Sequence, residues 1–322
     1  MSLPTQIFSL FKLLAYPTVP GTPHGDGIDD AYSSVAPANR TIIDIGLGTC
    51  DSLVDEVSKG FVVHGFEPRN ESLAHCRKKL DSKLSGLWAD VAVAGISQRE
   101  IAATRQRLRP STRGGFAFLY NVAVGNVTQT LSFFAMGSSS SISKGAAEHM
   151  GPLGHGRERK IDVVRIDEVI DEDIWLLKVD AQGHEVHALS GASSLLASRV
   201  VSHIFTEFAP RLLRDNGVPP RALPDLLWSY GYACFDVRNG DGPRYGQKLG
   251  RGSVKEGSYA APWALGKDHP TDLDEYIRAM DRNAVEGMKR NERGEKKPAL
   301  WAQRYGSSDD LACVNLRRRA TK

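Results

Sequence analysis

The 322-residue chain contains no run approaching the ~18–20 consecutive apolar residues that a bilayer core demands, which excludes a many-span membrane protein. Cysteine is scarce. The four present (Cys50, Cys76, Cys234, Cys313) form no CxxC pair, so neither a disulfide scaffold nor a cysteine-built zinc site is expected. The simplest reading is four free thiols in a reducing compartment, and hence a cytoplasmic protein. No charge sign dominates either. Lys and Arg total 41 against 38 Asp and Glu, a net charge of +3, too small a basic excess to suggest nucleic acid as a partner. With 41% hydrophobic and 25% charged residues, the composition is that of an ordinary globular protein, not collagen, coiled coil or a disordered chain. There is no G-x-x-x-x-G-K-[ST] loop for a nucleotide triphosphate and no Tyr-x-x-x-Lys pair.

What is present falls into three parts. Residues 7–16 are apolar but short and interrupted by Lys12; they read as a helix packed on the domain, with a weak membrane anchor as the alternative. Residues 17–40 are rich in Pro, Gly, Asp and Ser and read as a linker, so residues 1–40 form an N-terminal extension. From residue 41 onward, apolar runs alternate with helical periodicity. Strands are expected at 41–45, 61–66, 116–124, 129–134, 174–179, 201–208, 232–237 and 310–316. Helices are expected at 52–57, from a cap at Asn70 through Leu80, at 99–109, 185–196 and 221–230. Strand-helix alternation implies an α/β, doubly wound and mostly parallel sheet with right-handed crossovers. Two excursions interrupt it, at about 81–115 and 238–305. The second holds a charged helix near 272–293 that reads as a solvated face, and Trp263, Tyr276 and Trp301 are candidate pocket residues. The 138–143 serine loop is a candidate substrate wall.

In such a sheet ligands bind beyond the carboxyl ends of the strands. Those ends carry Asp44 with Gly46 and Gly48, then Glu67, Asn121, Asp180 and Glu207. This set is strongly acidic. The glycine series Gly46-Leu47-Gly48-Thr49-Cys50-Asp51 puts a carboxylate where a dinucleotide fingerprint has its third glycine, and a carboxylate there repels a pyrophosphate. A cationic ligand without phosphate suits the site better, and S-adenosylmethionine is one. Gly46 and Gly48 allow close backbone approach to its methionine part. Asp44 can accept from the ammonium, Glu67 from both ribose hydroxyls, and Asn121 can orient the adenine region. Asp180 is the candidate general base, with His184 and Glu207 beside it as further catalytic candidates. His203 reads as structural, Lys178 as a packing or ion-pair residue, and no metal is assigned.

The pieces Ile43-Asp44-Ile45-Gly46-Leu47-Gly48, His64-Gly65-Phe66-Glu67-Pro68-Arg69, Asn121-Val122-Ala123-Val124-Gly125, Val164-Arg165-Ile166-Asp167-Glu168-Val169 and above all Leu177-Lys178-Val179-Asp180-Ala181-Gln182-Gly183-His184-Glu185 resemble the FkbM-type family of S-adenosylmethionine-dependent methyltransferases. The resemblance covers roughly residues 40–237 and the final strand. It implies a class I methyltransferase (Rossmann-like) sheet of about seven strands with an antiparallel last strand, in a domain spanning 41–322. It also implies methyl transfer from S-adenosylmethionine, with a hydroxyl oxygen as acceptor on a small-molecule or glycan-type partner. Four positions depart from the family pattern: Leu47-Gly48 stand for Ala-Asn, Cys50 for glycine, and Gln182 for glutamate. The loss of an acid at Gln182 keeps a non-catalytic, cofactor-binding module open as an alternative. A nicotinamide-dependent oxidoreductase is a weaker one.

Overall fold

A computed structural model describes residues 40–108, 115–136, 139–141, 157–198, 200–237, 273–274, 277–278, 280 and 309–315. The expectations for residues 1–39, for most of the 138–143 loop and for most of the 238–305 insertion, including Trp263, Tyr276 and Trp301, lie outside the described residues.

The elements run β1 (Thr41–Ile45), α1 (Asp51–Ser58), β2 (Val62–Phe66), α2 (Asn70–Lys83), β3 (Trp88–Asp90), α3 (Gln98–Leu108), β4 (Phe116–Tyr120), β5 (Ala123–Val124), β6 (Gln129–Met136), β7 (Ser139–Ser141), β8 (Arg157–Val164), β9 (Ile174–Val179), α4 (Glu185–Ser190), α5 (Ser193–Ser198), β10 (Val201–Phe208), α6 (Pro210–Asp215), α7 (Ala222–Ser229), β11 (Tyr232–Val237) and β12 (Asp309–Asn315). The main sheet has eight strands in the order β11-β12-β10-β9-β1-β2-β4-β3. Only β12 runs antiparallel to its neighbours β10 and β11. This is the expected doubly wound sheet with one more strand than anticipated, the three-residue β3 at the edge. The chain order reverses at β1, which lies between β2 and β9. A crevice therefore opens beyond the carboxyl ends of these three strands.

Near-continuous apolar strands let the sheet bury both faces. Ile43, Ile45, Val62 and Phe66 face one core, while Ile42 and Val63, one residue out of step, face the other. A second sheet, β5-β8-β6-β7, was only half legible. The strand expected at 116–124 breaks at Asn121, and its last two residues join this second sheet instead.

Other local readings are corrected. Asn70 lies in the first turn of α2, and the residue before the helix, Arg69, makes no side-chain cap bond. The helix expected over 185–196 is two short helices. They part at Gly191, where a Cβ would meet the Gly125 carbonyl oxygen. Asp167 caps the second, accepting from the Ser194 and Leu195 N–H groups at 2.9 and 3.2 Å. In the charged segment near 272–293, Leu273, Ile277 and Met280 are buried in the main core, so a stripe at helical spacing docks there. Among the described residues no helix is long and apolar enough to cross a membrane.

The cysteine reading is overturned. All four are paired, Cys50 with Cys76 and Cys234 with Cys313. The first pair ties the glycine loop after β1 to α2. The second links facing residues of β11 and β12, whose Cα atoms are 4.0 Å apart. Sequence spacing hid both, because the partners meet only through the sheet and the α1–α2 packing. Disulfides persist in oxidising surroundings, so the pairing removes the ground for expecting a reducing compartment.

The pairs close loops of 26 and 79 residues. Loop entropy makes them worth about 3.5 and 4.5 kcal/mol. The denatured, unreduced chain should take up no iodoacetamide, and four equivalents after reduction. Reduction should lower the unfolding midpoint of the native protein. Ready labelling without reduction would refute the pairing.

Candidate functional site

The cleft at the crevice is lined from three strand ends and from the second sheet. β1 supplies Ile45, Gly46 and Gly48; β2 supplies Phe66, Glu67, Pro68 and Arg69; β9 supplies Asp180, Ala181, Gln182 and His184. Val122, Ala123, Val124 and Phe133 of the second sheet form an apolar wall. The cleft is open to solvent at its mouth.

Two chain crossings at the floor set its shape. Gly46 has φ +84°, and a Cβ there would sit 2.1 Å from the Asp180 carbonyl oxygen, so glycine is the only residue that lets β1 and β9 end this close together. Gly48 also has positive φ but open space around it, leaving bare backbone toward the cleft.

Asp44 is not in the cleft wall. It is 1% exposed and sits under the loop, where Lys178 on the neighbouring strand donates to its Oδ1 at 2.6 Å. The strand register places the two residues opposite one another. Burial opposes the ammonium charge, but Asp44 and Asp180 beside it keep Lys178 firmly protonated. Glu56 of α1 is also buried nearby. Burial, then the Asp44 charge, push its carboxyl well above the usual range. The floor thus holds one ammonium among buried carboxyl groups, and burial raises the pKa of both Asp44 and Glu56. The ion-pair role of Lys178 was legible in its position as the one charge within Ile-Trp-Leu-Leu-Lys-Val; Glu56 gave no such signal.

Glu67 lines the cleft as expected. Its Oε1 accepts from the Arg69 backbone N–H at 2.9 Å, and burial raises its pKa. Asn121 is exposed at the rim and donates to the Glu67 carbonyl oxygen at 3.0 Å, so it braces the residue that lines the cleft rather than lining it. Asp51 is ion-paired with Lys79 at 2.7 Å. Its charge is shared, which weakens the electrostatic case against a pyrophosphate and leaves the missing third glycine to carry that argument.

The catalytic candidates gather around one turn. Gln182 Nε2 donates to Asp180 Oδ1 at 2.8 Å and to Glu207 Oε2 at 3.0 Å, so Asp180 and Glu207 meet through it. His184 lies at the start of α4, buried rather than exposed, stacked on His187 with centroids 4.3 Å apart. Burial and His187 lower its pKa to about 4, so it is a neutral imidazole at physiological pH. Glu185 closes the turn: its Oε1 accepts from the Ala181 and Gly183 N–H groups at 3.0 and 2.9 Å. Burial lifts its pKa to about 7. His203 Nδ1 donates to the Trp175 carbonyl oxygen, 3.1 Å away, within the sheet. Among the described residues no group of three or more His, Cys, Asp or Glu is placed to hold a metal ion.

The sequence matches the model of the methyltransferase FkbM domain over residues 38–234. No curated protein matches it. Among solved structures it is similar to the methyltransferase FkbM of Methylobacillus flagellatus KT, at 16% identity and a TM-score of 0.36 over 61% of this chain. The aligned part spans 39% of that chain. It is also similar to the plantazolicin methyltransferase BamL solved with S-adenosylhomocysteine (9% identity, TM-score 0.35, 96% of this chain and 95% of that one). A third is the magnesium protoporphyrin IX methyltransferase of Synechocystis PCC 6803 with bound S-adenosylhomocysteine (11%, TM-score 0.30, 71% and 85%).

Replacing Lys178 with Met should cost about 3–5 kcal/mol, because it strands the buried Asp44 charge. Asp44→Asn combined with Lys178→Met should recover most of that in urea unfolding. A double-variant loss equal to the sum of the separate Lys178→Met and Asp44→Asn losses would show that the pair is not coupled. Glu185 yields a pH effect. Its folded pKa of about 7 lies above the ordinary 4.5, so the folded state binds the extra proton and stability falls as pH rises through that window. Glu185→Gln should abolish that fall, worth up to about 3 kcal/mol. Parallel stability curves for the two proteins from pH 4.5 to 7.5 would contradict the assignment.

Proposed function

The chain belongs to the FkbM methyltransferase family, and we propose that it transfers the methyl group of S-adenosylmethionine to a hydroxyl oxygen of a small-molecule or glycan-type acceptor. The observation that carries this reading is the cleft itself: bare glycine backbone at Gly46 and Gly48, a buried ribose-type acceptor at Glu67, and the carboxylate of Asp180, all facing one space. These residues fit the donor. Its sulfonium is cationic and the polar wall is acidic. Its ribose offers two hydroxyls to one carboxylate. When bound it supplies an activated methyl group.

The protein's own part is mainly positional. Holding an acceptor oxygen in line with the methyl carbon removes most of the entropic barrier. The apolar wall of Val122, Val124 and Phe133 excludes water from that line. Asp180, at the mouth of β9 and held by Gln182, is placed to take the hydroxyl proton as the oxygen attacks. Glu207 joins it through the same amide. His184 serves as a neutral wall residue, since an imidazole with so low a pKa is a weak base. The preference for oxygen rests on these carboxylates and on the family resemblance.

The direct experiment is thermal unfolding with and without S-adenosylhomocysteine. At ~100 times its dissociation constant the ligand should add ~2.7 kcal/mol of stability. Glu67→Ala should weaken binding about 10- to 100-fold, the worth of hydrogen bonds to a charged acceptor, with the fold unchanged. Absence of any shift in the folded wild-type protein would refute the cofactor. An unaltered affinity in the variant would refute the placement of Glu67.

A further inference from the structure

We propose that Gln182 is a positioning residue whose side-chain amide holds the carboxyl groups of Asp180 and Glu207 together, a donor role that the usual glutamate can fill only while protonated. The proposal deepens the reading above and rests on it for the roles of the two acids.

The geometry is specific. A side-chain amide nitrogen carries two hydrogens, and Gln182 Nε2 lies 2.8 Å from Asp180 Oδ1 and 3.0 Å from Glu207 Oε2, one hydrogen for each. Asp180 follows β9 and Glu207 lies near the end of β10, so the bridge spans two adjacent strand ends. The backbone is bent to make it. Gln182 has φ +51° and Gly183 φ +92°, a left-handed pair that turns the chain back over the strand ends. A Cβ on Gly183 would strike the Leu212 carbonyl oxygen and Asn216, so this turn is locked from α6. Positive φ at a residue other than glycine is uncommon and is kept where the surroundings over-determine it.

Charged groups on the elements around the pair are Lys178 and Asp44 below it, Glu185 and neutral His184 from α4, Arg211, Arg214 and Asp215 on α6, and Glu67 and Arg69 across the cleft. A third carboxylate at position 182 would have no hydrogen to give unless it kept a proton, and the cluster would then titrate as a unit. The amide does not titrate, so it can supply the same two hydrogen bonds at every pH. The chain's departure from the family pattern is, on this account, a way of keeping the acids available rather than a sign of lost activity.

The test is urea unfolding of wild type, Gln182→Glu and the exchange variant Gln182→Glu/Glu207→Gln, from pH 5 to 8.5. The trapped proton raises the folded-state pKa of the cluster in Gln182→Glu. Its stability relative to wild type should therefore fall as pH rises, by at least tenfold in the folding constant. The exchange variant again has two acids and one amide, and it should track wild type across the range. A Gln182→Glu curve parallel to wild type would overturn the proposal. If Gln182→Glu does not fold at any pH, folding of the exchange variant supports the bridge, and its failure to fold overturns it. Binding of S-adenosylhomocysteine to wild type is read separately. Loss of the cofactor reading would leave the titration result standing, and the reverse also holds.

Discussion

Everything at the site depends on how closely β1 and β9 end beside each other. Gly46 passes the Asp180 carbonyl at a distance that admits no side chain, and two residues back on each strand Lys178 grips Asp44 at 2.6 Å. The first contact brings the glycine loop and the Asp180 turn into one cleft. The second neutralises a charge that would otherwise lie bare under them. Because the ion pair is fully desolvated, its worth lies less in net stability than in the penalty for breaking it. That penalty fixes the register of the two strands, and with it every strand end that carries a functional group.

The strand ends then pose one problem repeatedly, an excess of carboxylates, and solve it differently each time. Asp44 has an ammonium, Glu67 a backbone N–H, Glu185 two backbone N–H groups, and Asp180 with Glu207 a shared amide. Glu56 takes none of these, and burial pushes its carboxyl well above the usual range. Each solution leaves a different amount of acceptor capacity facing the cleft. The Asp44 carboxylate is spent in the floor. Glu67 and Asp180 line the open space. The division between structural and functional acids therefore follows from the donors available to each, not from the residue type.

This explains what could be read in advance. Apolar runs and their spacing mark the strands, and a last strand is legible from Leu311, Cys313 and Leu316 behind a polar lead-in, while its reversed direction is what the family resemblance implies. Gly46, Gly48, Glu67, Asp180 and His184 all line the cleft, because strand ends are set by the same runs. What was hidden depends on through-space neighbours. Asp44 lies inside β1 and shares a sheet face with Ile42, where Lys178 meets it, whereas Gly46 lies past the strand end. The disulfides join residues 26 and 79 apart. The second sheet forms because the chain breaks at Asn121 and pairs β5 with β8, forty residues on, a pairing that no local pattern encodes.

The second sheet also bears on which acceptor the cleft can take. The cofactor half of the site is built from strand ends whose positions the main sheet dictates. The opposite wall comes from β5 and β6, with Val122, Val124 and Phe133 presenting apolar surface. Apolar side chains at that wall discriminate by shape and by exclusion of water, at roughly 1–3 kcal/mol per methylene-sized misfit. Hydrogen-bond discrimination falls to the polar side of the cleft, to Glu67, Asp180 and Gln182. On the proposed reading, an acceptor that satisfies both walls carries a hydroxyl at one edge of an apolar or ring-like body. That edge would meet Asp180, which an amide that does not titrate holds beside Glu207, so recognition of the hydroxyl and removal of its proton would fall to one side chain.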